Sequence, residues 1–204
     1  MAGRKLLSRD ERHASILRGA AAAFARSGFA ATSMDDVAAE VGITRLIVYR
    51  HFDSKEELYR AVLQRVFDRH AEEFVAGLQQ RSPRAVGAGS HLTVAREWPD
   101  GYVLLWRHAA REPQFADYAR GLREHAVEAA RALLATPLTT AGQASAWVPD
   151  KVLDRWAAET IVGFVVESVL CWLEDGDPER DDELLDLVTD AIGAMRRTWA
   201  APAT

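Results

Sequence analysis

The stretch Thr32-Ser-Met-Asp-Asp-Val-Ala-Ala-Glu-Val-Gly-Ile-Thr-Arg-Leu-Ile-Val-Tyr-Arg-His-Phe-Asp-Ser-Lys-Glu-Glu-Leu58 decides the fold. Ser33 is placed to cap a short helix whose inward face is Met34, Val37, Ala38 and Val41. Gly42 follows, and its missing Cβ permits the positive φ of a tight turn. Thr44 can cap a second short helix, which runs to about His51. Ser54-Lys-Glu-Glu57 is a capping box that opens a third. The small Ala38, the turn residue Gly42 and the branched Val48 have the spacing that locks two helices across a turn, which leaves Thr44, Arg45, Leu46, Tyr49 and Arg50 outward. This is a helix-turn-helix pattern, and a short helix carrying Arg, Tyr, Arg and His suits the major groove of DNA. Spacing alone fits an ordinary helical hairpin with a solvated charged face equally well.

Outward from this core the period stays helical. Ser8-Arg-Asp-Glu11 is another capping box, followed by Ile16, Leu17, Ala20, Ala21 and Phe24 on one face and a stop at Gly28. After Ser54 a long helix carries Leu58, Val62, Val66, Phe74 and Leu78. Ser82-Pro83 and Gly87-Ala-Gly89 mark a break. Leu92–Trp98, Tyr102–Ala110 and Phe115–Leu134 read as three helices separated by Pro99-Asp-Gly101 and Glu112-Pro113. Thr136–Pro149 reads as a loop. Two strong helices close the chain, from about Asp150 to Leu173 and from about Asp181 to Trp199. The spacing shows no repeat and no hairpin turn pair. The fold class expected is all-α with about nine helices.

The chain has 204 residues and a net charge of −5. Residues 1–70 hold 12 Lys/Arg and 9 Asp/Glu, giving +3, and the remainder gives −8. A weakly basic front and an acidic back suit a part that meets phosphate and a part that does not. The single Cys171 precludes an internal disulfide. The N-terminus turns polar before a signal-peptide core develops, and the apolar run Ile161–Leu173 is short for a bilayer span and contains Glu167. A cytoplasmic protein without membrane contact is the expectation.

Gly28-Phe29, Thr32-Ser33-Met34, Val37-Ala38, Gly42-Ile43-Thr44, Val48-Tyr49-Arg50-His51-Phe52 and Ser54-Lys55-Glu56-Glu57-Leu58 closely resemble the N-terminal domain of the tetracycline-repressor (TetR) family. The resemblance covers about residues 8–65, and its Tyr-x-x-Phe-x-x-Lys run is specific. It implies a homodimeric, all-helical transcription regulator. Residues 1–53 would form the three-helix DNA-binding domain, and 54–204 a larger helical domain for ligand binding and dimerisation. Carried over by position, Arg45 and Leu46 would face bases. Thr32, Ser33, Thr44, Tyr49, His51 and Lys55 would face the phosphate backbone, with Arg50 also on the outward surface. Leu46 departs from the family pattern, where Gly or another small residue is frequent, and makes the reading face more apolar. Arg4 and Lys5 suit an arm to the backbone or minor groove, as some members have, or two simply solvated terminal cations. The dimer would bind a pseudo-palindromic operator, act as a repressor, and be released by a small, largely apolar effector.

All six Trp lie in the C-terminal part: Trp98, Trp106, Trp147, Trp156, Trp172 and Trp199. Large aromatics either line an apolar pocket or fill the core. Trp98, Tyr102, Trp106 and His108 cluster in the middle helices and are the candidate ligand group. Glu167 joins them as a carboxylate in an apolar run, beside Arg107 as a further polar candidate. For the dimer interface the candidates are Leu153, Ile161, Phe164, Leu184, Leu187 and Ile192, on two apolar stripes that would form a four-helix bundle across a two-fold axis. Those stripes also suit the monomer core.

An enzyme is not expected. No Gly-x-Ser-x-Gly elbow, phosphate loop or dinucleotide fingerprint is present. No His pair falls at i, i+3 or i, i+4, and no Glu-x-x-His exists, so neither a metal nor another cofactor is expected. The competing reading is a helical dimer that binds a protein or a ligand without DNA.

Overall fold

The computed structural model describes residues 7–135, 138–140, 143–145 and 151–199. The arm residues Arg4 and Lys5, Trp147 and most of the loop expected at 136–149 lie outside them. Among the described residues there are nine α-helices: α1 (Arg9–Ala31), α2 (Met34–Val41), α3 (Arg45–Tyr49), α4 (Lys55–Gln79), α5 (Ser90–Glu97), α6 (Pro99–Val103), α7 (Ala116–Leu134), α8 (Lys151–Asp175) and α9 (Asp181–Trp199). The chain is all-α, as its periodicity predicts. One local exception is a pair of three-residue strands, β1 (Leu138–Thr140) and β2 (Gln143–Ser145), antiparallel with Leu138 opposite Ser145.

Contacts group the helices into two units. One comprises the chain up to Arg69 together with Glu97–Ala119, and the other His70–Arg96 with the chain from Arg120 onward. The first unit is thus not contiguous in sequence: α6 and the turns after it pack with the N-terminal helices. α4 begins in the first unit and ends in the second.

In the first unit, Ser8 caps α1 in the reciprocal box expected, its Oγ accepting from Glu11 N while Glu11 accepts from Ser8 N. Gly28 ends the regular helix as expected, and a short helical segment follows it within α1. Gly28 adopts φ 77° and kinks the helix, which then continues to Ala31 and carries Phe29 into the core. Phe24, Phe29, Tyr59 and Phe115 form one aromatic cluster, with the Tyr59 and Phe115 rings stacked at 4.3 Å. Burial holds the Tyr59 phenol above its ordinary range. Trp98 and Tyr102 belong to this interior. Both are buried, and the Arg18 guanidinium lies over the Trp98 ring at 4.3 Å. Pro99-Asp-Gly101, expected to separate helices, instead opens α6. Pro99 takes the first turn, where its missing N–H costs nothing, and Tyr102 N donates to Trp98 O. A π-helical turn, Leu104–His108, and a 3-10 turn, Ala109–Arg111, follow.

In the second unit, α8 buries Ala157, Ala158, Val162, Val165, Val166, Val169 and Leu170, and packs on α9 and on the π-helical turn Ala85–Gly89. The apolar run of Ile161–Leu173 lies within this helix, whose limits agree closely with those expected. Val152–Asp175 has the length and hydropathy to cross a bilayer, yet 44% of its most apolar window is buried inside the protein. Asp181 ties the unit together. Arg96 grips its carboxylate through Nε at 3.0 Å and Nη2 at 2.6 Å, and Trp172 Nε1 donates to it at 2.7 Å. The Arg96 bond holds the Asp181 carboxyl below its usual range.

His70 and His91 are buried side by side in this unit, ring centroids 4.0 Å apart, with the Ser90 hydroxyl 3.3 Å from His70 Nε2. Burial pushes His70 down to about 4 and His91 well below its ordinary value. Both rings are thus neutral in the folded protein at neutral pH, while the unfolded chain protonates them below about pH 6.5. The unfolded state then binds the extra protons, so stability is complete above that pH and declines as pH falls toward 4. The urea midpoint should be level from pH 8 to 7 and drop between pH 6.5 and 5. A level midpoint down to pH 5 would contradict the buried pair.

Candidate nucleic-acid interface

Ser33 starts the helix-turn-helix. Its Oγ accepts from Asp36 N at 3.2 Å and donates to the Asp36 carboxylate at 2.6 Å, and Ser33 N donates back to that carboxylate at 2.8 Å. These bonds hold Asp36 below the usual carboxylate range. Gly42 then turns the chain at φ 69°, its N–H bonded to Ala39 O, while Ile43 N returns to Ala38 O at 2.9 Å. Ala38 and Val48 are buried. With the inward residue sealed, the rest of α3 turns outward: Thr44, Arg45, Leu46, Tyr49 and Arg50 are all exposed. Leu46, at 63%, is among the most exposed large apolar side chains among the described residues.

The structure brings most of the predicted residues onto one surface and assigns different work to others. Thr44 occupies the N-cap position of α3, but its hydroxyl makes no cap bond, contrary to the capping role expected of it. Arg45 Nη1 donates to Asp35 on α2 at 2.9 Å, and Nη2 donates to the Tyr49 hydroxyl at 3.2 Å. His51 is half-buried and lies against His13 of α1, ring centroids 5.9 Å apart. Burial and then the cationic surroundings of His13, Arg9 and Arg12 push its imidazole down.

Thr32 and Lys55 both make bonds within the domain. Thr32 is buried, and its hydroxyl donates to Gly28 O at 2.7 Å, so it is spent inside the domain. The Lys55 ammonium donates to Phe29 O and Thr32 O, both at 2.8 Å, and lies 4.2 Å from the centre of the Phe29 ring. It closes the end of α1, where carbonyls lack helical partners. Ser54 caps α4 as expected through Glu57 N at 3.0 Å, but Glu57 reaches back to Asp53 N rather than completing the box. Sequence reasoning passed over Asp35 and His13. Each meets its partner across a turn or between helices, where periodicity carries no signal.

The candidate ligand group divides. Trp98 and Tyr102 are core residues of the first unit, and the half-buried Trp106 and His108 sit on its π-helical turn. Burial and the cations Arg111 and Arg107 push His108 down. Glu167 belongs to the second unit and is exposed, so it is not the buried carboxylate its apolar neighbours suggest. Among the described residues no group of three or more His, Cys, Asp or Glu is placed to hold a metal ion.

The dimer candidates also divide. Ile161 and Leu184 are 9% exposed and serve the core of their own unit, while Phe164 and Ile192 are half-buried. Leu153 and Leu187 are exposed, as is Trp156, whose ring meets Trp199 at 5.1 Å.

Residues 16–62 match the family described as bacterial regulatory proteins, tetR family. The HTH-type transcriptional activator FasR of Mycolicibacterium smegmatis is 28% identical over 199 residues, 93% of this chain and 85% of that protein. The HTH-type transcriptional repressor KstR2 of Rhodococcus jostii is 37% identical over 75 residues, 35% of this chain and 37% of that one. Among solved structures, a TetR-like transcriptional regulator from Rhodococcus sp. RHA1 superposes with a TM-score of 0.72 at 21% identity, covering 94% of this chain and 96% of that one. AibR, described in complex with isovaleryl coenzyme A and operator DNA, superposes at 0.64 with 19% identity, covering 89% and 98%.

Replacing Lys55 by Met should lower the unfolding free energy by roughly 1–3 kcal/mol, the scale of hydrogen bonds to a charged group. The salt dependence of DNA binding should not change. Unaltered stability with a salt slope reduced by about one would return Lys55 to a phosphate contact.

Proposed function

Because this chain belongs to the tetR family of bacterial regulatory proteins, we propose that it is a cytoplasmic, non-enzymatic repressor that binds a pseudo-palindromic operator as a homodimer and is released by a small, largely apolar effector. The observation that carries the DNA part is the outward face of α3. Val48 is fully buried, and Arg45, Tyr49 and Arg50 are thereby exposed together with Leu46.

Arg45 is the base reader, since a guanidinium fork matches guanine O6 and N7, and Leu46 meets a thymine methyl. Ser33, Thr44, Tyr49, Arg50 and His51 contact the backbone. Tyr49 can serve phosphate and Arg45 together: its oxygen accepts from the guanidinium and its O–H remains to donate. Thr32 and Lys55 support this face from within.

The dimer uses the exposed strip of α8 and α9. Leu153, Trp156 and the half-buried Phe164 fall on one helical face of α8, and Leu187 is 70% exposed on α9. Two such pairs make a four-helix bundle. Its two recognition helices then meet successive major grooves roughly 34–36 Å apart. The effector acts by tilting α4 and changing that spacing, a coupling between two sites. Half-buried Trp106 and His108, on a π-helical turn of the kind frequent at functional sites, are retained as effector contacts.

Retardation of the duplex beside the gene should weaken steeply with salt as phosphate counterions return. Tyr49→Ala should weaken binding to every sequence, and Arg45→Ala should change the preferred site. No binding to any duplex at low salt would leave a protein- or ligand-binding dimer instead. In sedimentation, Leu187→Glu should convert the dimer to a folded monomer and abolish operator binding. A dimer that persists would place the interface elsewhere.

A further inference from the structure

Asp35 puts a carboxylate on the surface that the proposed function assigns to DNA. It is exposed, and it projects from the first turn of α2 within reach of the base-reading residue of α3. A negative charge there repels phosphate at every sequence, so it weakens general affinity. Its contact with Arg45 contributes little to folding, because both side chains are more than half exposed. What the contact does accomplish is geometric.

The Arg45 guanidinium is held on two sides. Nη1 donates to Asp35 Oδ2 at 2.9 Å, from a different helix. Nη2 donates to the Tyr49 hydroxyl at 3.2 Å, and the Tyr49 ring lies 5.1 Å from the guanidinium carbon, one turn along the same helix. The helices that carry both anchors are themselves fixed. The Ser33–Asp36 box sets the start of α2, and Ala38, Gly42 and Val48 set α3 against it. These bonds use two of the five guanidinium N–H groups and leave three for a base edge. A long, rotamer-rich arginine is thereby aligned before DNA arrives, and the ordering cost of binding falls.

We propose that Asp35 is a specificity-determining positioning residue: it holds the Arg45 fork toward guanine in the major groove, increasing discrimination between sequences while its charge reduces affinity for non-cognate DNA. This rests on the DNA-binding function proposed above. The two effects have opposite signs on cognate DNA, whereas on non-cognate DNA the repulsion acts without the gain from alignment, so they separate experimentally.

The test uses the full-length protein, its preferred duplex obtained by selection from random sequence, and the same duplex with the guanine opposite Arg45 replaced. Asp35→Asn keeps the shape and removes the charge. It should bind the altered duplex several-fold more tightly. The ratio of preferred to altered affinity should fall by about tenfold, the order of one lost bidentate arginine–guanine contact. Arg45→Ala should lose the same discrimination, and adding Asp35→Asn to it should lose no more. In the DNA-free protein, nitrogen relaxation at Arg45 Nε should show an ordered side chain that becomes mobile in Asp35→Asn. Equal gains on both duplexes, with discrimination intact, would reduce Asp35 to a surface charge and overturn the inference alone. Wild-type protein that binds no duplex would overturn the DNA-binding function itself, and the inference with it.

Discussion

The end of α1 leaves carbonyl groups without helical partners, and the way they are satisfied organises the N-terminal half of the protein. Gly28 kinks the helix, Phe29 swings into the aromatic cluster, and the Thr32 hydroxyl returns to Gly28 O. Lys55, first residue of α4, donates to Phe29 O and Thr32 O. One ammonium therefore joins the last turn of α1, the entry to α2 and the start of α4. Its positive charge also complements the negative end of the α1 dipole. The recognition helix has only five residues, too few to be stable alone, and takes its orientation from this junction and from the Ala38–Val48 packing.

Electrostatics divides along similar lines. On the helix-turn-helix surface the charged contacts are exposed, and their value lies in alignment rather than in stability. In the second unit some are more enclosed, Arg96–Asp181 and Arg131–Asp154 among them, while Arg180–Glu183 is exposed. Arg96 and Trp172 converge on Asp181, and Arg131 reaches both Asp154 at 2.6 Å and Glu128 at 2.8 Å. These pairs tether α5, α7, α8 and α9 around an apolar interior, where the neutral His70–His91 pair is the main buried polar feature.

What the sequence disclosed was mostly local. Capping residues and turn glycines act on their own neighbours, so the Ser8 box, the Ser33 cap, Gly42 and the limits of α9 were all legible. So was the inward Val48, and with it the outward set of α3. Long-range pairing was not legible. Periodicity cannot show that α6 packs with the N-terminal helices, which is where Trp98 and Tyr102 are buried. Nor can it show that Thr32 points inward, that Lys55 spends its protons on carbonyls, or that Asp35 meets Arg45 across a turn. An apolar stripe says which side of a helix avoids water, but not whether its own chain or another covers it. Hence Ile161 and Leu184 proved internal while Leu187 stands exposed.

α4 is unbroken from Lys55 to Gln79, so it is a rod of about 37 Å at 1.5 Å per residue. Its hydrogen-bond ladder resists stretching, and shortening it would require breaking several bonds at once. Lys55, its first residue, is fastened to the carbonyls of Phe29 and Thr32, and a point charge tolerates a change in the angle of such bonds that a planar fork would not.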